Sequence, residues 1–179
     1  MISYAITDPT TLNFSTLSED IKRFAKRADM IVYRDKSSVE YARYAHLFIE
    51  ETKRHSFAKV LLHTHIDIAI RLQADGIHLT SKDLHRIEFA KSKGLFVVVS
   101  THSLYEAQLA QSLGANMITY SPIFRTPNKG EPLGTESLMR LRDSITIPII
   151  ALGGILSEEQ IENCLQNGAS GFASIRYFG

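Results

Sequence analysis

The chain has 179 residues, 44% hydrophobic and 22% charged, the proportions of an ordinary globular protein, and one domain over residues 1–179 is expected. Lys plus Arg (20) against Asp plus Glu (19) leaves a net charge of +1, which offers no electrostatic footprint for nucleic acid or an anionic membrane. No apolar run approaches the roughly 20 residues of a membrane span. Met1-Ile2-Ser3-Tyr4-Ala5 lacks the layout of a signal peptide, and the single cysteine, Cys164, excludes an internal disulfide and fits a reducing compartment. A cytoplasmic protein is expected.

In chain order, eight short β-branched or apolar runs predict strands: Ile2–Thr7, Met30–Arg34, Lys59–Thr64, Gly76–Thr80, Leu95–Thr101, Met117–Ser121, Ile147–Leu152 and Gly171–Ile175. Most are continuously apolar, as parallel strands covered on both faces must be. Helical spacing appears between them, for example at Tyr41, Tyr44, Ala45, Phe48 and Ile49, and Gly94, Gly114 and Gly168 mark helix ends. Ala28-Asp29-Met30-Ile31, Ala74-Asp75-Gly76-Ile77, Ala115-Asn116-Met117-Ile118 and Ala169-Ser170-Gly171-Phe172 form a weak repeat that precedes every second strand. The class is α/β, and eight strands in a two-unit repeat predict a (βα)8 TIM barrel. An open doubly wound sheet is the competing fold. Only four residues follow the eighth run, so the last helix is expected to be missing. The flank it would cover makes Phe172, Tyr177 and Phe178 candidates for a subunit contact in a homodimer or larger assembly.

Active sites of such barrels lie at the C-terminal ends of the strands. Arg34 and Lys36 are two apart, so in an extended segment both side chains point the same way. Their repulsion is relieved by a shared anion; otherwise they are solvated loop charges. Gly153-Gly154 follows the seventh run and precedes a helix, a natural phosphate seat, with Arg176 after the eighth run as a second contact. The bland alternative is a tight turn. Ser100 and His102 share parity at the end of the fifth run, where an imidazole can move protons or simply be a surface residue. His63 and His65 raise a zinc question without an evident third ligand, and His78 reads as a satisfied core residue. The long segment from Ser121 to Gly130 reads as a lid bringing Lys129 over an anion, or as a plain insertion.

Six collinear stretches, together covering nearly the whole chain, carry a resemblance. They are Tyr4-Ala5-Ile6-Thr7-Asp8; Tyr33-Arg34-Asp35-Lys36; Ala74-Asp75-Gly76-Ile77-His78-Leu79 with Asp83; Ser100-Thr101-His102-Ser103 with Glu106-Ala107; Ser121-Pro122-Ile123-Phe124-Arg125-Thr126 with Lys129; and Ala151-Leu152-Gly153-Gly154-Ile155. The chain resembles the thiamine-phosphate synthase and thiazole tautomerase superfamily of (βα)8 barrels. The resemblance implies thiamine biosynthesis. In a synthase a pyrimidine diphosphate joins a thiazole phosphate with Mg²⁺; Arg34, Lys36, Ser100 and Lys129 would meet the diphosphate, Asp83 the metal, and Gly153 and Gly154 the thiazole phosphate.

Three departures bear on the branch. His63-Thr64 stands where synthases carry Asn-Asp, Val32 stands where they carry Gln, and Arg176-Tyr177 replaces small residues. A metal site reduced to Asp83 favours the tautomerase, which aromatises a thiazole carboxylate phosphate by a proton shift without metal, its catalytic His matching His102. On that reading no cofactor is needed and Arg34 and Lys36 bind the carboxylate. The synthase with Mg²⁺ is the alternative, and a non-catalytic thiazole- or thiamine-phosphate-binding protein the second. A phosphosugar-type isomerase on the same barrel would leave the stretches outside the phosphate loop unexplained.

Overall fold

In a computed structural model describing Met1 to Gly179, strands β1 (Ile2–Ile6), β2 (Met30–Tyr33), β3 (Lys59–His63), β4 (Gly76–Leu79), β5 (Phe96–Thr101), β6 (Met117–Tyr120), β7 (Ile149–Leu152) and β8 (Gly171–Ser174) alternate with helices α1 (Leu17–Ala25), α2 (Tyr41–Thr52), α3 (Ile66–Arg71), α4 (Ile87–Ser92), α5 (Leu104–Ser112), α6 (Glu136–Arg142) and α7 (Glu158–Gln166). All neighbouring strands are parallel, and β8 returns to β1 through Ile2↔Gly171 to Ala5↔Ser174, closing the barrel. The open-sheet alternative is thereby excluded. No helix follows β8, and no helix is long and apolar enough to cross a membrane. Each predicted run contains its strand; β7 starts only at Ile149 because Pro148 has no N–H for a ladder.

Strand alternation sorts the side chains into two layers. Tyr4, Ile6, Met30, Val32, Leu61, Val98, Met117, Ile150 and Ala173 fill the barrel. The opposite face of each strand packs on the helices, with Ile31, Leu62 and Ile77 of the strands and Phe48 and Ile87 of the helices in one continuous apolar shell.

The sequence repeat has a structural cause at the N-terminal end of the barrel. Asp29 Oδ2 accepts from the Ser3 N–H (2.8 Å), Asp75 Oδ2 from Val60 N–H (2.7 Å), Asn116 Oδ1 from Val97 N–H (2.9 Å) and Ser170 Oγ from Ile149 N–H (3.3 Å). In return the N–H groups of Asp29, Asp75, Asn116 and Ser170 donate to the carbonyls of Ser3, Val60, Val97 and Ile149. Each clamp ties the entry of an even strand to the odd strand before it and satisfies a backbone donor at the rim. The period of two units is thus the period of the clamp.

Phe172, Tyr177 and Phe178, suggested for a subunit contact, meet one another within the chain. Phe172 and Phe178 are buried within the chain itself, stacked at 5.5 Å between ring centroids with Tyr177 edge-on to both. The closing turn after β8 folds back over the flank, held by the Tyr177 N–H on Ser174 Oγ (3.1 Å) and by Arg23 Nε on the Phe178 carbonyl (3.4 Å).

Candidate active site

At the C-terminal ends of the strands the barrel opens into a cavity of about 420 Å³. Arg34, Lys36, Ser100, His102, Lys129, Gly153, Gly154 and Arg176, chosen from sequence, all line it, together with His63, His78, Ser81, Lys82 and Thr126. No Asp or Glu side chain lines it. Asp8, at the end of β1, is instead folded onto Thr10, whose N–H and hydroxyl donate to its Oδ1 (2.9 and 2.6 Å).

One end of the cavity is built from backbone. Gly153 (φ +101°) and Gly154 (φ +70°) hold a conformation that L side chains rarely adopt. A Cβ on Gly153 would lie 2.7 Å from Pro122 Cα, and one on Gly154 would lie 2.6 Å from the Arg125 carbonyl oxygen. Both conformation and space therefore require glycine. The N–H groups of Gly153, Gly154, Ile155, Ile175 and Arg176 donate to nothing within the protein. Consecutive free amides in a left-handed turn make an anion-binding concavity, and Arg176, which enters no ion pair, lines the same cavity. The neighbouring helix contributes less than its position implied. At the N-terminus of α7 a capping box of Ser157 and Gln160 takes up the N–H groups of Leu156, Ser157 and Gln160.

The segment after β6 is not a free lid at its base. The Ile123 and Phe124 N–H groups donate to the carbonyls of Leu152 and Gly153 (2.9 and 3.0 Å), and Ile123 is buried. It packs on the glycine turn while its exposed part brings Thr126 and Lys129 to the cavity.

The other end is cationic. Arg34 continues the inward parity of Met30 and Val32, and its N–H is held by the Thr7 hydroxyl at 3.3 Å. Lys36 sits lower on the pH scale than an ordinary lysine: partial burial is the largest cause, followed by repulsion from Arg34, Lys129 and Lys82. His63 is pushed down to about 3 by burial first and then by Arg34 and Lys36. Lys82 was not picked out from sequence. It lies on the turn after β4, directly before Asp83, and a survey of every loop after a strand end would have found it.

Between the two ends stand Ser100 and His102. Ser100 Oγ is 2.9 Å from Nε2 of buried His78, whose Nδ1 is 2.8 Å from the Tyr4 hydroxyl. The reading of His78 as a satisfied core residue agrees with these two bonds. On His102, Nδ1 donates to the Ser121 carbonyl at 2.9 Å, and the main-chain N–H donates to Glu106 at 2.6 Å. A proton on Nδ1 leaves the Nε2 lone pair available in the neutral ring.

The metal question has a definite geometry. Asp83 Oδ2 accepts from the Thr80 N–H (3.2 Å) and hydroxyl (2.7 Å), and Oδ1 pairs with Arg86 at 3.3 Å. The carboxyl is held below its ordinary range although partial burial, the largest single influence, pushes it up; Thr80 and Arg86 outweigh burial. Arg86 also donates to the Thr64 carbonyl at 2.8 Å. Arg86 thus bridges the Asp83 carboxylate and the Thr64 carbonyl, and Asp83 does not line the cavity. Mg²⁺ asks for carboxylate and phosphate oxygens at close to octahedral geometry, and these residues do not fit it. The histidine zinc reading fails too. His65 turns away to lie 4.3 Å from the Tyr41 ring, and no group of three His, Cys, Asp or Glu residues gathers anywhere.

Comparison with known proteins identifies the family. The family model described as thiamine monophosphate synthase matches residues 3–178. A putative thiamine-phosphate synthase 2 of Aquifex aeolicus is 34% identical over 98% of this chain and 96% of its own length. A thiamine-phosphate synthase of Methanosarcina barkeri is 31% identical over 96% of this chain and 80% of its own. The solved structure of a thiamine phosphate pyrophosphorylase from Pyrococcus furiosus superposes with a TM-score of 0.84 at 27% identity, covering 97% of this chain and 85% of that one. These names back the synthase, the alternative in the sequence reading, over the tautomerase that it preferred. From its match over nearly its full length, the chain belongs to the thiamine monophosphate synthase family.

Proposed function

We propose that the protein is a transferase of thiamine biosynthesis that joins a pyrimidine methyl diphosphate to a thiazole phosphate and releases diphosphate. One observation carries this choice: Arg34, Lys36, Lys82 and Lys129 crowd one end of the cavity with no acidic residue among its walls. A carboxylate, the second anion of a tautomerase substrate, would leave most of that charge unmatched, whereas a diphosphate answers it. The opposite end, with its free amides and Arg176, is suited to a phosphate monoester. Two anion seats facing each other across one cavity match two phosphorylated substrates.

In the reaction the thiazole nitrogen lone pair forms a bond to the pyrimidine methylene carbon. The carbon–oxygen bond breaks, and its electron pair leaves with the diphosphate. Negative charge grows on the departing oxygens, where Arg34, Lys36, Lys82, Lys129 and the Ser100 hydroxyl line the cavity and stabilise it. The glycine turn fixes the thiazole by its phosphate and keeps the attacking nitrogen in line. This bond-making step moves no proton.

A second reading keeps support from one feature, the exposed Nε2 lone pair of His102, which is placed to carry a proton between two substrate atoms as a tautomerase requires. Seat-specific variants test the main reading. Lys36→Ala is expected to raise KM for the pyrimidine diphosphate roughly tenfold or more, and Arg176→Ala to raise KM for the thiazole phosphate alone. The reading is wrong if thiamine phosphate never forms, or if both variants act on the same substrate.

A further inference from the structure

Positive charge at the diphosphate end has no partner in the protein. Arg34, Lys36, Lys82 and Lys129 enter no ion pair; the acidic residues that do are Asp20, Glu40, Glu50, Glu51 and Asp83, with other partners. The carboxylates next to them in sequence are turned elsewhere. Asp35 Oδ1 accepts from the N–H and hydroxyl of Ser37 (2.9 and 2.8 Å), and Asp83 is held by Thr80 and Arg86. To recruit a metal, Asp83 would have to abandon a helical cap and an ion pair, and Arg86 would have to leave the Thr64 carbonyl. Four cations already outnumber the charges of a diphosphate ester, about three at neutral pH for two ionising phosphates. A further double charge would over-neutralise it.

We infer that Lys82, standing with Arg34, Lys36 and Lys129, supplies the counter-charge that a divalent cation would otherwise bring, so that this end of the cavity binds diphosphate without metal. The inference rests on the diphosphate reading above and departs from the Mg²⁺ requirement that the family resemblance implies. Lys82 is exposed, on the turn after β4, and extends to the cavity wall. Its ammonium acts there as a point charge on a phosphate oxygen.

Calorimetric titration of inorganic diphosphate into the intact protein, in EDTA and in millimolar Mg²⁺, tests it directly. Binding is expected to be at least as tight in EDTA. Lys82→Ala should weaken it roughly tenfold, Lys82→Glu should weaken it further, and Lys82→Arg should retain it. Because Lys82 is exposed, the variants fold, and an unchanged melting temperature verifies that. Binding that appears only with Mg²⁺, that is absent in both buffers, or that ignores Lys82→Ala overturns the inference. Condensation assayed in the same two buffers separates it from the reading on which it rests. Thiamine phosphate formed only with Mg²⁺ overturns the inference and keeps the transferase. Metal-independent diphosphate binding without condensation keeps the inference and removes the transferase.

Discussion

The Tyr4 hydroxyl and His78 Nδ1 lie 2.8 Å apart inside the barrel, and this one contact orients a hydroxyl at the cavity wall. Both residues are buried and Tyr4 has no other polar partner, so its proton is satisfied only by donation to Nδ1. The His78 proton then resides on Nε2 and is donated to Ser100 Oγ. Ser100 in turn is left with its own proton free to point into the cavity, as a donor to an anion. His78 stays neutral because burial, reinforced by His63 and Arg34, pushes its pKa well down.

Tyr4→Phe removes the acceptor preference and leaves Nδ1 buried without a donor, which costs about 1–3 kcal/mol of stability. Long-range ¹H–¹⁵N spectra are expected to show the Nε2–H tautomer of His78 in the wild type and a mixture in the variant. Diphosphate binding should weaken together with the tautomer. A wild-type spectrum with the proton on Nδ1 contradicts the chain of donation.

Acid should destabilise the protein well above the carboxylate range. His63, at about 3, and His78, shifted the same way, remain neutral when folded but take up protons near pH 6.5 when unfolded. The unfolded state therefore binds more protons, and stability, complete above pH 6.5, falls as pH drops toward the folded values. Each histidine contributes about 1.4 kcal/mol per pH unit in that window. Denaturant melts between pH 7 and 5 check this, and His63→Gln should remove about half of the slope.

Gly154→Ala is expected to damage the phosphate seat. The added methyl meets the Arg125 carbonyl in a backbone conformation that alanine disfavours, a strain of about 1–3 kcal/mol. KM for the thiazole phosphate should rise while diphosphate binding, measured by calorimetry, is unchanged. Equal loss at both ends would mean that the glycine turn serves the whole barrel mouth rather than one seat.

His102→Ala separates the two chemistries. Carbon–nitrogen bond formation moves no proton, so condensation should fall by less than about tenfold, whereas a general acid–base contributes roughly 10²–10⁴. Single-turnover rates of the variant measure this. A loss of a hundredfold or more in condensation would place His102 at the reacting atoms.

The barrel was legible because parallel strands must be apolar on both faces, and because Asp29, Asp75, Asn116 and Ser170 repeat with the strand clamp. Position at a strand's end was enough to bring Arg34, Ser100, His102, Gly153 and Arg176 to one cavity. What depends on side-chain orientation was not legible. The resemblance makes Asp83 a metal ligand, but its carboxylate closes a cap and meets Arg86. The Tyr4–His78–Ser100 chain joins β1, β4 and β5, which are not all neighbours, across the barrel interior. Free amides leave no trace in residue type except at the glycines.

The most direct measurement supplies the purified protein with pyrimidine methyl diphosphate and thiazole phosphate, and in parallel with the non-aromatic thiazole carboxylate phosphate. Thiamine phosphate and diphosphate released in equal amounts, with Lys36→Ala crippled, is the result that a cationic diphosphate seat requires. Aromatisation of the thiazole above its spontaneous rate, with no thiamine phosphate in the first arm, would contradict it and make His102 the centre of the chemistry.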